Sequence, residues 1–134
     1  MKKIVALIVA CLLPVLLFSQ EKKTPEQMEK EFYEALEKQI ESLTALLDLD
    51  DTQVFYVDSI LTHDYLAMQE EYQNLSQAKV SNADIYYAVQ DKWTEQIYNS
   101  FHKIFDEQQW EKYLKSGAAR EKKARDRRAA KKLK

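Results

Sequence analysis

Apolar residues recur at spacings of three and four along this chain, the pattern of helices that each bury one stripe. Met28, Phe32, Leu36, Ile40, Leu43 and Leu47 predict a first helix over about Pro25 to Leu47. Val54, Val57, Leu61, Tyr65, Met68, Tyr72 and Leu75 predict a second over about Asp51 to Ala78. Ile85, Val89, Trp93, Ile97, Phe101 and Ile104 predict a third over about Asn82 to Ile104. Trp110, Tyr113 and Leu114 predict a fourth that starts at Glu107 and either closes at Gly117 or frays beyond it. From Lys115 onward no stripe continues, and Leu133 is the one large apolar residue. That stretch reads as a solvated, flexible tail, transiently helical at most.

The starts of these helices can be read from capping chemistry. The first N–H groups of a helix lack partners; a Ser, Thr, Asp or Asn side chain at the cap accepts one, and a side chain three positions on folds back to the cap's own N–H. Thr24-Pro25-Glu26-Gln27, Asp50-Asp51-Thr52-Gln53 and Asp106-Glu107-Gln108-Gln109 fit this box, and Ser81-Asn82-Ala83-Asp84 fits it more loosely. Three starts add an apolar pair flanking the cap, a hydrophobic staple: Leu49 with Val54, Val80 with Ile85, and Phe105 with Trp110. Two of the boxes are local repeats, LDLDDTQV (Leu47–Val54) and KIFDEQQW (Lys103–Trp110). Each predicts a sharp corner between two helices. Leu49, Asp50, Gln53, Phe105, Asp106 and Gln109 are therefore assigned as corner-forming residues.

Composition agrees with helices. The chain has 134 residues with one Gly and two Pro, and a β-rich fold of this size needs many more turn residues. The expected fold is all-α: four helices in antiparallel hooked hairpins, with a shallow core completed by a second copy of the chain. Residues 1–20 read as a signal peptide, 21–115 as the helical domain and 116–134 as the basic tail.

Charge separates these parts. From Glu21 to Leu114 there are 8 Lys/Arg against 20 Asp/Glu, a net of −12; from Lys115 to Lys134 there are 10 against 2, a net of +8. An acidic body with a basic end points to a tail with its own partner. The tail is read either as a solubility extension, as a contact to an anionic membrane or other envelope surface, or as a segment docking on the body itself. Nucleic acid is not expected as a partner of an exported chain. Export is read from Met1-Lys2-Lys3, the apolar run Ile4 to Phe18, and Ser19-Gln20 after it. Ile8-Val9-Ala10-Cys11 also has the form of a lipobox, but a lipobox ends the apolar core and here the core runs on to Phe18. With Cys11 in the signal, the remaining chain has no thiol chemistry.

Candidate chemistry is sparse. His63 and His102 fall one to a helix, short of a metal-ligand set, and are read as surface residues. No metal and no cofactor is expected. The adjacent carboxylates Asp50-Asp51 and Glu70-Glu71 point apart on a helix. No arrangement of nucleophile, base and orienting group is visible, so an enzyme is not expected. The eight Tyr offer more. Tyr33, Tyr56, Tyr87 and Tyr98 fall beside or off the stripes and suit either stripe-edge packing or an amphipathic surface for unfolded chains. Phe55, Ile60 and Leu66 lie off the stripe of the second helix and could form a second seam, for a dimer partner or a client.

Leu49-Asp50-Asp51-Thr52-Gln53 and Phe105-Asp106-Glu107-Gln108-Gln109 resemble the LTxxQ motif of the Spy/CpxP family of small periplasmic proteins. That family carries one copy at the start of its second helix and one at the start of its last. Asp stands for the motif Thr in both copies and caps equally well; Phe105 stands for Leu in the second. The resemblance covers Pro25 to Leu114 and leaves out the tail. It implies a hooked hairpin that dimerises into a cradle and acts without ATP, as a chaperone or as a modulator of envelope-stress sensing. In several members the concave face is basic, whereas this body is acidic, so no client preference carries over; the zinc-binding histidines of one branch have no counterpart. The expected activity is to bind partly unfolded or regulatory envelope proteins through Phe55, Tyr56, Leu66, Tyr87 and Tyr98. The alternative is an anchoring module whose tail docks to an anionic envelope surface.

Overall fold

In a computed structural model, residues 22–133 are described, and among them the protein is all-α. The helices are α1 (Pro25–Leu47), α2 (Asp51–Gln77), α3 (Ala83–Ile104), α4 (Glu107–Tyr113) and α5 (Ala119–Lys132), with a wide turn over Leu114–Ala118. The expected signal segment and Cys11 lie outside the described residues. None of the described helices is long and apolar enough to cross a membrane. The chain divides into two units, Met1–Glu34 and Ala35–Lys134, with the boundary inside α1.

The described part of the first unit is short and polar. Thr24 and Gln27 form the expected box: the Gln27 N–H donates to Thr24 Oγ1 at 3.2 Å, and Thr24 N–H to Gln27 Oε1 at 3.1 Å. Lys23 reaches Glu31 at 2.7 Å, and Met28 and Tyr33 stand exposed.

In the second unit α2 and α3 run antiparallel. Tyr72 stacks on Tyr86 at 5.9 Å between ring centroids, Trp93 Nε1 donates to Glu71 at 3.1 Å, and Gln96 Nε2 donates to Asp64 at 3.1 Å. The best-buried side chains are Leu47, Val57, Leu61 and Phe101, and Leu36, Leu49, Ile97, Phe105 and Ala118 join them. Each fully buried side chain of this kind contributes about 1.5–3 kcal/mol. The core thus gathers where the two corners meet. Leu75, Val80 and Ile85, at the far end of the α2–α3 pair, are half-buried or exposed.

Both repeated stretches are corners, as their chemistry predicts. Asp50 Oδ1 accepts the Gln53 N–H at 2.7 Å and Gln53 Oε1 accepts the Asp50 N–H at 3.1 Å. Asp106 and Gln109 repeat this at 2.8 and 2.9 Å. The structure then adds what no local pattern foretells. The two glutamine side chains, 56 residues apart, face each other. Gln53 Nε2 donates to Gln109 Oε1 at 2.7 Å, and Gln109 Nε2 donates back to Gln53 Oε1 at 3.0 Å. The second N–H of each amide goes to the last carbonyl of the other corner's incoming helix: Gln53 to Ile104 O at 3.0 Å, Gln109 to Leu47 O at 3.2 Å. An amide has two N–H donors and two acceptor sites, and both amides use all of them. One pair therefore supplies partners at two helix N-termini and two C-termini, where backbone groups lack intrahelical bonds.

Elsewhere the starts and ends depart from expectation. The cap of α3 is Asn82, not Ser81: Asn82 Oδ1 accepts the Asp84 N–H at 3.0 Å. The shift by one residue removes the Val80–Ile85 staple. Ile85 is exposed, and Tyr86 instead donates its phenol to Val80 O at 2.8 Å. At the second corner Phe105 packs on Phe101 and Tyr113, while Trp110 stacks on His102 at 4.2 Å. α1 and α2 each end on a left-handed residue, Asp48 (φ 51) and Lys79 (φ 58). Leu49 N–H to Thr44 O at 3.2 Å, and Val80 N–H to Leu75 O at 3.0 Å, complete the six-to-one closure of a Schellman end.

The largest correction concerns the tail. Residues 116–133 are not a separate solvated segment. Gly117, at φ 127, breaks the helix, and α5 then runs back antiparallel to α3. A conformation at that φ suits glycine because it has no Cβ. The sequence offers no apolar stripe here because the contacts are ionic: Arg125 Nε to Glu95 at 2.9 Å, Lys122 to the same carboxylate at 2.5 Å, and Arg128 to Asp91 at 2.7 Å.

Two measurements test this account. Gln109→Ala leaves the Leu47 carbonyl and the Asp106 N–H without side-chain partners and should cost about 2–3 kcal/mol in denaturant unfolding. Combined with Gln53→Ala, the loss should fall short of the sum by ~1 kcal/mol, because each single variant already breaks the pair. Strict additivity would mean that the two amides act independently. Separately, Lys79→Gly should gain ~0.5–1 kcal/mol by relieving the left-handed backbone; an unchanged midpoint would mean that Lys79 is unstrained.

Candidate functional site

Around the corner formed by Asp106, five aromatic side chains converge from α3, α4 and the corner itself. Tyr98 meets Trp110 edge-on at 4.9 Å and lies 6.5 Å from Tyr113; Phe101 and Phe105 are 5.5 and 5.7 Å from Tyr113. The spacing of Tyr98 and Phe101 puts them on one face of α3, and the corner turns α4 so that Trp110 and Tyr113 face them. Edge-on and tilted pairs of this kind suit the ring quadrupoles. Burial pushes the Tyr113 phenol up to about 12, with Glu121 adding to the rise and Arg125 opposing it.

Beside this cluster lies a cleft of about 100 Å³, walled by Leu43, Ile97 and Phe101 and edged by Gln39, Tyr65 and Arg125. Gln39 Nε2 donates to the Tyr65 phenol at 3.1 Å, which fixes one rim. The other side is closed by α5. Lys122 and the Arg125 guanidinium lie 5.7 and 5.4 Å from the Tyr98 ring centre, over its negative face. Arg125 is only 7% exposed, and its Nη2 is buried with no hydrogen-bond partner among the described residues. Its Nε bond to Glu95 and the aromatic face of Tyr98 offset that loss in part. Farther along α3, an open groove of about 320 Å³ runs between Tyr87, Gln90 and Asp91 on one side and Ala124 and Arg128 on the other.

The five expected contact residues separate here. Phe55, Tyr56, Leu66 and Tyr87 are exposed, at 66%, 48%, 41% and 59%. Phe55 and Leu66 lie eleven residues apart on one face of α2, roughly 16 Å along it. That face turns away from Val57 and Leu61, which are fully buried. Tyr98 differs: it is half-buried beneath Lys122 and Arg125, so with α5 docked it is a packing residue rather than an open contact. The reason is the helical tail, which covers it.

Histidines and carboxylates also fall into place. His63 is exposed, and its Nδ1 lies 2.8 Å from Asp64 Oδ1; His102 stacks on Trp110. Asp64 is buried, at 3% exposure, between His63 and Gln96. The sequence places it beside His63, a pairing too sparse for a metal site, and its burial was not anticipated. Its place between Leu61 and Met68 on the buried side of α2 was the available signal. Among the described residues, no group of three or more His, Cys, Asp or Glu is arranged to hold a metal ion.

The pairing of α5 with α3 has a pH signature. Burial alone would raise the Glu95 carboxyl, but the bonds from Lys122 and Arg125 outweigh it and hold it below its ordinary 4.5. A depressed folded value means stabilisation that is complete above the unfolded value and lost as pH falls through the folded one. Amides 119–132 should therefore be protected from hydrogen exchange at neutral pH and lose protection in acid, as pH falls below the ordinary 4.5 and through the lowered folded value. Glu95→Gln should show the acid pattern at neutral pH; unchanged protection would remove Glu95 from this role.

No protein-family model matches the chain, and neither a curated protein nor a solved structure does.

Proposed function

We propose that this protein is an exported, ATP-independent holding protein that binds partly unfolded or regulatory envelope proteins on its exposed helix faces. One observation carries the reading. Among the described residues, the chain buries nine apolar side chains and leaves nine large ones exposed, including Leu46, Phe55, Tyr56, Leu66 and Tyr87. As many lie outside as inside, so the core is thin, and Phe55 with Leu66 share one face of α2 where one partner can meet both. These residues are spread along rods instead of being gathered in a pocket. Spread apolar contacts, separated by charged and amide side chains, favour weak and reversible binding of extended chains over tight recognition of one ligand. Tyr56 and Tyr87 suit that use, since a phenol offers a large apolar face and a polar tip at low entropic cost.

The resemblance of the two corner motifs to the Spy/CpxP family supports the same reading, as do the signal-like first residues and the single Gly, which leaves no Gly-rich loop to cradle nucleotide phosphates. A second copy of the chain would compete for the same faces, so dimerisation and holding share residues here.

The protein should suppress aggregation of a chemically unfolded model protein at substoichiometric ratio, read by light scattering. Phe55→Ser with Leu66→Ser should weaken this several-fold while leaving helicity unchanged, as exposed substitutions cost little stability. Suppression that is absent, or indifferent to the double variant, would overturn the reading. Loss of a dimer in the variant, by solution mass, would reassign that face to self-association.

A further inference from the structure

The basic end of the chain has two sides with different fates. Lys122, Arg125 and Arg128 turn inward and meet Glu95 and Asp91 of α3. Arg120, Lys123, Arg127 and Lys131 follow one another at spacings of three, four and four, which places them along one line of α5. All four are exposed, and none makes an ion pair among the described residues. Ala124 and Ala130 border this arc, one on each side. Glu121 lies well away from it; Asp126 lies beyond Ala130 and is held by Lys122 at 2.8 Å. The result is a cationic line roughly 16 Å long with small residues beside its charges.

We propose that this outward face of α5 is a docking surface for an anionic lipid bilayer. The proposal rests on α5 alone and not on the holding function. Its physical basis is presentation. A free basic tail spreads its charges in all directions; a helix pinned by its inner cations holds four others in one plane. Long Lys and Arg stems can then reach a flat surface together, and the alanines beside them do not hold the helix away from it. Each such cation near an anionic leaflet strengthens binding about fivefold. The face has no apolar stripe, so the helix lies on the surface without inserting, and binding is reversible and salt-sensitive. A flat anionic array fits better than an acidic protein, because the four cations lie along one exposed line and none of them lines the cleft or the groove beside α5.

Co-sedimentation of the full chain with vesicles tests this. Vesicles of about one-third phosphatidylglycerol in phosphatidylcholine should bind it at low salt and release it at ~1 M salt, where charge interactions are screened within a few ångströms. Pure phosphatidylcholine vesicles set the baseline for any apolar insertion by residues 4–18. The variant Arg120→Gln, Lys123→Gln, Arg127→Gln, Lys131→Gln should lose at least a hundredfold of the difference between the two vesicle types. A variant that removes the same number of charges elsewhere, Lys38→Gln, Lys103→Gln, Lys112→Gln, Lys115→Gln, all exposed and none of them pinning α5, should lose at least tenfold less. Circular dichroism checks that both stay helical. Equal losses would mean that net charge alone acts, and the proposal fails. It fails too if the wild-type chain shows no preference for the anionic vesicles. Tighter binding at the same salt to polyglutamate or single-stranded DNA than to the vesicles, lost in the first variant, would assign the face to an acidic polypeptide or a nucleic acid instead.

Discussion

Two glutamine side chains hold the corners of this protein together. Gln53 and Gln109 each close their own capping box, and each then bonds to the other and to the final carbonyl of the opposite incoming helix. The orientation of both amides is fixed by this arrangement. Exchanging nitrogen and oxygen on either would aim a donor at the Asp50 or Asp106 N–H. Gln109 is 8% exposed, so an unmet bond there cannot be made good by water at little cost. Four helix termini are satisfied at one point, and the buried core of Leu47, Leu49, Val57, Phe101 and Phe105 assembles beside it.

That arrangement concentrates stability at one end of the second unit. Away from the corners, α2 and α3 meet through isolated contacts such as Tyr72 with Tyr86 and Glu71 with Trp93. Rods held at one end can leave apolar side chains outside without unfolding, because the corner end supplies the core they lack. Phe55, Leu66 and Tyr87 are among these exposed side chains. The same logic explains α5. It has no stripe to bury, yet it is ordered against α3, since the body's acids are spaced four apart at Asp91 and Glu95 to meet Arg128, Arg125 and Lys122 in antiparallel order.

The helices themselves were legible from the residues. α1 begins and ends where the stripe and the Thr24 box place it, and α2 and α4 begin at the Asp50 and Asp106 boxes. Such signals act between residues three or four positions apart, so they can be read without knowing any tertiary contact. Where two caps compete within that range, as Ser81 and Asn82 do, sequence left the choice ambiguous by one residue, and the Val80–Ile85 pair was misplaced with it.

What the sequence by itself determined is therefore an all-α chain with two matched corners, an acidic body and a basic end. What only the tertiary structure decided is who meets whom. Gln53 finds Gln109 across 56 positions, Arg125 finds Glu95 across 30, and Tyr98 is covered by the helix expected to be loose. Periodicity reports which face of a helix is apolar, but a hydrogen bond or ion pair between helices depends on the register and direction in which they lie. Those are set by the corners acting together, and no single stretch of residues encodes them.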